Sequence, residues 1–249
     1  MKLATIGVVL LMAVGAHVQA AELTVLSTNA FKTVLEELGP QFERASGHKL
    51  AMRFASTSEM KARIEKGEAF DVALLTAAAA DDLIKQAKLT AATRTDVARS
   101  GVGVAIRKGT AKPDLSSAEA FKRALVQAKS ITYSAAGFTG PSLRKIFERF
   151  GIAGEMQAKT RLASGNAAEA VARGEAELGF TQASEILHVA GADYAGPLPE
   201  EVQIYTVFTA AAASNGKDAA ASSALVRFLG APAAAPVIKA KGMEPAPGR

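Results

Sequence analysis

Short apolar runs alternate with amphipathic stretches along this chain, and their spacing sets the expected elements. Leu23-Thr24-Val25-Leu26 reads as a strand. Phe31, Val34, Leu35, Leu38 and Phe42 then recur at intervals of three and four, the spacing of one helix face, and Ser46-Gly47 closes that helix. Leu50 to Phe54 alternates as a second strand, Met60 to Gly67 is a short helix ended by its glycine, and Phe70 to Leu75 is a third strand before a helix around Asp81 to Ala87. The strand-helix-strand order predicts a parallel sheet covered by helices on both faces.

The theme continues downstream. Val102 to Ile106 is strand-like, and Lys108 to Pro113 is a polar connection. Ser116 to Lys129 and Pro141 to Phe150 read as helices, with a strand at Ile131 to Tyr133 between them. Strands are expected at Lys159 to Ala163 and Leu178 to Thr181, separated by a helix near Ala167 to Arg173. Gly196-Pro197-Leu198-Pro199 marks a break, Val202 to Phe208 is β-branched and aromatic, and two Ala-rich helices close the chain. This length is generous for one doubly wound lobe, yet no linker separates two domains. Two α/β lobes joined by two crossing strands, near Val102 to Ile106 and Val202 to Phe208, satisfy both facts.

The N-terminus stands apart from this pattern. Lys2 precedes an apolar run from Leu3 to Val14, and Val18-Gln19-Ala20 places small or neutral residues where a signal peptidase reads. The layout predicts a signal peptide over residues 1–20, cleaved after Ala20, and a periplasmic mature chain. The run is shorter than the ~20 residues that span a bilayer. Composition adds limits. The chain has 249 residues, 49% hydrophobic, and no cysteine, so its fold rests on packing, without disulfides or thiol chemistry. Its 29 basic and 24 acidic side chains are spread without blocks, and aromatic content is 6% with no Trp. That spread argues against a nucleic-acid surface and is compatible with an anionic ligand.

Four junctions place hydroxyl, amide or Gly residues where a strand gives way to a helix: Ser27-Thr28-Asn29-Ala30, Ser56-Thr57-Ser58, Gly137-Phe138-Thr139-Gly140-Pro141 and Ser164-Gly165-Asn166. A helix N-terminus offers unpaired N–H groups and about half a positive charge, enough to hold an anion without a charged side chain. Each junction also has an ordinary reading as a cap. Ser56-x-x-Glu59 is a capping box, as is Ser116-x-x-Glu119, where nothing else suggests a site. Four in one chain favour ligand binding. Motifs for catalysis are sparse: there is no Gly-x-Ser-x-Gly elbow, Gly216-Lys217-Asp218 is no P-loop, and Gly101-Val102-Gly103 lacks a third dinucleotide-binding glycine. Downstream of residue 20 only His48 and His188 occur, neither at metal-ligand spacing; His48 reads as a surface turn residue and His188 as packing or solvent-facing on a helix. No enzyme activity, metal or cofactor is expected.

At these junctions the sequence resembles the periplasmic molybdate-binding proteins of ABC transporters. The likeness runs from Leu23-Thr24-Val25-Leu26 through Phe54-Ala55-Ser56-Thr57-Ser58, Ala62-Arg63-Ile64-Glu65-Lys66-Gly67 and Phe70-Asp71-Val72. It continues at Gly140, the helix to Phe150-Gly151, Gly174-Glu175-Ala176-Glu177-Leu178-Gly179 and Lys241-Gly242-Met243. The resemblance implies a type II periplasmic binding fold: α/β, two doubly wound lobes, a two-strand hinge and a ligand in the cleft. It places lobe one at 21–103 and 206–249 and lobe two at 104–205. It implies a monomer that delivers a small anionic ligand to an ABC transporter permease.

Carried over residue by residue, the family's second-loop hydroxyl falls on Thr57, between Ser56 and Ser58, and a backbone N–H contact falls on Thr139. The first-loop serine falls on Ala30, with Asn29 beside it. A later loop contact falls near Ser164, and the family's tyrosine falls on Gln182. Ala30 lacks the hydroxyl, and the Gln182 amide accepts as well as donates. The ligand expected is therefore a molybdate- or tungstate-like oxyanion, or alternatively a di- or tricarboxylate. For the latter a cationic fork is sought, with Arg144 and Lys32 as candidates.

Overall fold

The computed structural model describes residues 20–135 and 139–246. The expected signal peptide, apart from Ala20, lies outside them, as do Gly137 and Phe138 of the third junction. Strands β1 (Glu22–Thr28), β2 (Lys49–Ala55) and β3 (Val72–Thr76) alternate with helices α1 (Lys32–Ser46), α2 (Thr57–Glu65) and α3 (Ala77–Lys85). A 13-residue strand, β4 (Thr95–Arg107), leads into α4 (Ala118–Gln127), β5 (Ile131–Ser134), α5 (Thr139–Arg149), α6 (Ala153–Lys159) and β6 (Thr160–Ala163). Then come α7 (Ala167–Ala172), β7 (Leu178–Gln182), α8 (Ala183–Ile186), β8 (Ala192–Pro197), β9 (Tyr205–Ala212), α9 (Ala219–Leu229), α10 (Ala235–Ala240) and β10 (Glu244–Pro245).

The strands are ordered β2-β1-β3-β9-β4-β7-β5-β6, with β8 and β10 also on β4. Within each half the expected parallel pairing holds: β1 pairs parallel with β2 and β3, and β5 with β6 and β7. The sheet as a whole is mixed, because β4 carries the chain out of the first half and β9 brings it back. β9 is therefore antiparallel to both β3 and β4. Over Thr95–Gly101 β4 pairs with β9, and over Val102–Ile106 it pairs with β7.

Alternation along β1 explains why the first half needs helices on both faces. Leu23 and Val25 enter a core with Phe31, Leu35, Leu38 and Phe42 of the α1 side, while Leu26 enters another with Met60, Ile64 and Leu83 from α2 and α3. The second half has its own core, in which Val102, Val104, Phe121, Leu143, Phe147 and Phe180 meet.

Several local expectations need correction. His48 is buried, not a surface turn residue: its Nδ1 accepts the Ala21 N–H at 3.1 Å, and its ring stacks on Phe42 at 6.0 Å between centroids. Gly47 before it does turn the chain, with φ 78° at the end of α1. The helix expected from Ser116 begins at Ala118, capped by Ser117, whose hydroxyl accepts the Ala120 N–H, while Ser116 bonds Asp114. Gly196-Pro197 ends a strand instead of breaking structure: Pro197 lies opposite Gly103 at the last position of β8. The strand expected from Val202 starts at Tyr205, because Glu200–Val202 forms a 3-10 turn that buries Val202 in the second core.

Asp71, immediately before β3, ties distant segments together. It is buried; Oδ2 accepts the Thr24 N–H at 2.8 Å and Oδ1 accepts the Lys217 N–H at 2.9 Å. Replacing it by alanine leaves both donors without an acceptor, at about 1–3 kcal/mol each where water cannot enter. Asp71→Ala is expected to lose about 2–4 kcal/mol in urea denaturation. A loss under about 1 kcal/mol would show that water takes the carboxylate's place.

Candidate functional site

The cleft between the halves is a cavity of about 1160 Å³, bordered by β-strand ends and helix starts from both. All eight residues singled out from sequence line it: Asn29, Ala30, Ser56, Thr57, Ser58, Thr139, Ser164 and Gln182. Their environments differ. Asn29, Ser56, Ser58 and Ser164 are exposed, Thr57 is half-buried, and Ala30, Thr139 and Gln182 are buried. The starts of α2 and α5 lie at this wall, so backbone N–H groups are offered from the first half and the second.

Some of these side chains already serve the fold. The Ser56 hydroxyl accepts the Glu59 N–H at 3.2 Å, as its capping-box spacing predicted, and lies 3.1 Å from the Ser58 hydroxyl. Asn166 caps α7 through the Ala168 N–H at 2.8 Å, and its Nδ2 donates to the Glu185 carbonyl at 3.2 Å. The Ala30 carbonyl accepts from Ser184 Oγ at 3.5 Å, a direct contact between the halves. Gln182 Nε2 donates to Thr206 Oγ1 at 3.0 Å, and Oε1 is buried with no donor among the described residues. Because a threonine hydroxyl both donates and accepts, this amide can turn over and present either atom to the cleft.

Lys32 borders the cleft, with its ammonium 5.9 Å from the Phe54 ring centroid and 3.7 Å from Glu36. Arg144, the other candidate for a cationic fork, lies elsewhere, beside Tyr133 and Phe147 in a separate groove of about 430 Å³. His188, exposed in the turn after α8, also borders the cleft.

Sequence reasoning missed Thr76, Thr206, Ser184 and Glu185, all of which line this space. Thr181-Gln182-Ala183-Ser184-Glu185 is a fifth strand-to-helix junction of the same composition as the other four, and that likeness could have found it. The Glu185 side chain accepts a hydrogen bond from Thr181 Oγ1 and is in no ion pair among the described residues. Burial pushes its carboxyl above the usual glutamate range, against the opposing effect of the hydrogen bonds from Thr181 and the Gln182 backbone.

A family model described as bacterial extracellular solute-binding protein matches residues 23–244. The chain belongs to that family. An aconitate isomerase of a Pseudomonas species is 33% identical over 231 residues, covering 90% of this chain and 88% of the relative. The molybdate-binding protein of Azotobacter vinelandii is 31% identical over 249 residues, covering 90% of each. A solved structure of the Azotobacter vinelandii periplasmic molybdate-binding protein superposes with a TM-score of 0.73 at 22% identity, covering 89% of this chain and 98% of that one. The expected fold is thereby shown: a type II periplasmic binding protein, a divergent relative of the molybdate-binding proteins. Glu59, Glu169 and Glu185 line its cleft, and burial raises the carboxyl pKa of Glu185.

A raised carboxyl pKa makes stability depend on pH in a definite direction. Between the unfolded value near 4.5 and the higher folded value, the folded chain binds more protons than the unfolded one, so Glu185 costs stability as pH rises through that window. Glu185→Gln removes this cost. The variant is expected to gain on the wild type as pH rises above 4.5, as read by urea denaturation at each pH. A difference that stays constant with pH would show that burial does not hold the proton.

Proposed function

We propose that this solute-binding protein captures a small anion between two lobes for an ABC transporter permease, after export to the periplasm. We assign the lobes to the two halves of the sheet, with the hinge in β4 and in the chain entering β9. Ligand that touches both sides favours the closed arrangement by its differential affinity, as in the hinge closure of periplasmic binding proteins generally. The observation that carries the reading is the cleft itself, lined from both sides by neutral donors and by the starts of α2 and α5.

For the ligand, the 33% identical aconitate isomerase and the mixed donors and acceptors of the cleft support an organic polycarboxylate of the aconitate kind. Gln182 and Glu185 can each donate or accept, which suits a guest bearing both ionised and protonated oxygens. A fully deprotonated oxyanion needs donors only and is opposed by an ionised Glu185. The volume also exceeds the need of a single tetrahedral ion, as an open cleft or a larger guest requires. A molybdate-like oxyanion is the second reading, favoured by the 31% identical molybdate-binding relative and by Thr57 at the family's hydroxyl position.

Two measurements decide between them. In a thermal-shift and calorimetric screen, aconitate or citrate at 100 times its dissociation constant should stabilise the protein by about 2.7 kcal/mol, while molybdate, tungstate and sulfate leave it unchanged. The reverse result would replace the polycarboxylate with an oxyanion. Gln182→Tyr supplies a donor that is a poor acceptor, so it should weaken polycarboxylate binding about tenfold and strengthen any oxyanion binding. Equal affinity of variant and wild type for every ligand would remove Gln182 from the site.

A further inference from the structure

Glu185 is out of place in a receptor whose task is only to hold an anion. Its carboxyl borders the cleft, accepts from Thr181 Oγ1 on the adjoining strand end, and has no lysine or arginine paired with it among the described residues. Ionised, it opposes a negatively charged guest. Protonated, it can donate to one, but only while its pKa is high enough to keep the proton. A cleft carboxyl whose proton burial helps to hold, with no paired cation among the described residues to fix it as an anion, is suited to proton transfer.

We infer that Glu185 is a catalytic acid–base residue that moves a proton between two carbons of a bound unsaturated polycarboxylate, so that the protein isomerises its ligand as well as holding it. The inference rests on the polycarboxylate reading of the cleft. In the first step the Glu185 carboxylate takes a proton from the methylene carbon next to the double bond. The C–H bond breaks, an O–H bond forms on Glu185, and the electron pair enters the three-carbon π system. Negative charge spreads onto the ligand's own carboxylates, and the starts of α2 and α5, at Thr57 and Thr139 in the cleft lining, supply the positive helix ends that would stabilise it. In the second step the Glu185 O–H gives its proton to the far carbon of the same system. A C–H bond forms there, the double bond has moved one position, and Glu185 is again a carboxylate. Formula and oxidation state are unchanged, and the step consumes no water, oxidant or cofactor.

The motifs whose absence argued against catalysis in the sequence serve nucleophiles, nucleotides and metals. A proton shift on one carboxyl requires none of them.

The test incubates purified full-length mature protein with cis- or trans-aconitate in deuterium oxide and follows the spectrum by proton NMR, with calorimetry on the same samples. Wild type is expected to interconvert the isomers and to place solvent deuterium at the methylene carbon. Glu185→Gln should slow both by about 100-fold or more while binding no more weakly than wild type, since no carboxylate then opposes the guest, and that binding also shows that it is folded. Glu185→Asp should fall between the two. Binding by wild type without isomerisation or exchange overturns the catalytic role and leaves the capture reading standing. Failure of wild type to bind aconitate or citrate sinks both. Turnover that survives Glu185→Gln but disappears in His188→Gln moves the acid–base role to the turn after α8.

Discussion

Thr95–Arg107 is hydrogen-bonded as one strand to two different sets of neighbours, and the geometry of the cleft follows from that division. Up to Gly101 its partners are the returning strand β9 and, at Ala98 and Arg99, β10; from Val102 onward they are β7 and β8. The backbone changes allegiance at Gly101–Val102 while remaining extended. Beside it the Val102 N–H bonds the Ile204 carbonyl at 3.0 Å, so the outgoing and returning segments are joined where the halves meet. Each half packs its own apolar cluster, and strand ends from both face the same gap. A ligand space at the carboxyl ends of strands is the ordinary outcome for open α/β sheets. Here the two halves of one mixed sheet share it.

The composition of that gap separates holding from reacting. Neutral hydroxyls and amide N–H groups can surround a negative charge without preferring any one atom of the guest, and they keep their state across pH. Glu185 does not. Its burial raises its pKa, and its hydrogen bond from Thr181 fixes its oxygens beside hydroxyls and amides that do not titrate. Gln182, bonded to Thr206, adds an amide whose orientation the guest can choose. A receptor cleft and a reaction chamber therefore differ in this molecule by very few atoms.

Much of the architecture was legible because the periodic signals are strong. The three- and four-residue spacing through Leu35, Leu38 and Phe42 places α1, and the alternation through Leu23 and Val25 places β1. The elements that escaped are short or polar. α6 buries only Met156, α8 is four residues long, and the start of β4, Thr95-Asp96-Val97-Ala98-Arg99-Ser100, owes its extended form to pairing with β9, not to local pattern. His48 was misread because a residue after glycine looks like a turn; the ring that covers it and the Ala21 N–H that reaches it come from outside the local window. The cleft residues were brought together from four junctions weighed as a set. Glu185 was overlooked because its junction, Thr181 to Glu185, was not set beside the other four, and a lone glutamate carries no sequence signature of being half-buried.

The path of the chain has a further effect on how this molecule comes into being. The second half is built from one continuous stretch, so its contacts close over modest sequence separations. The first half is not: β9, which completes the sheet beside β3, and Lys217, which completes the bonds to Asp71, are more than a hundred residues downstream of them. Loop-closure entropy and contact order both favour the continuous portion. The N-terminal segment must therefore wait, only partly assembled, until nearly the whole polypeptide is available to complete its sheet.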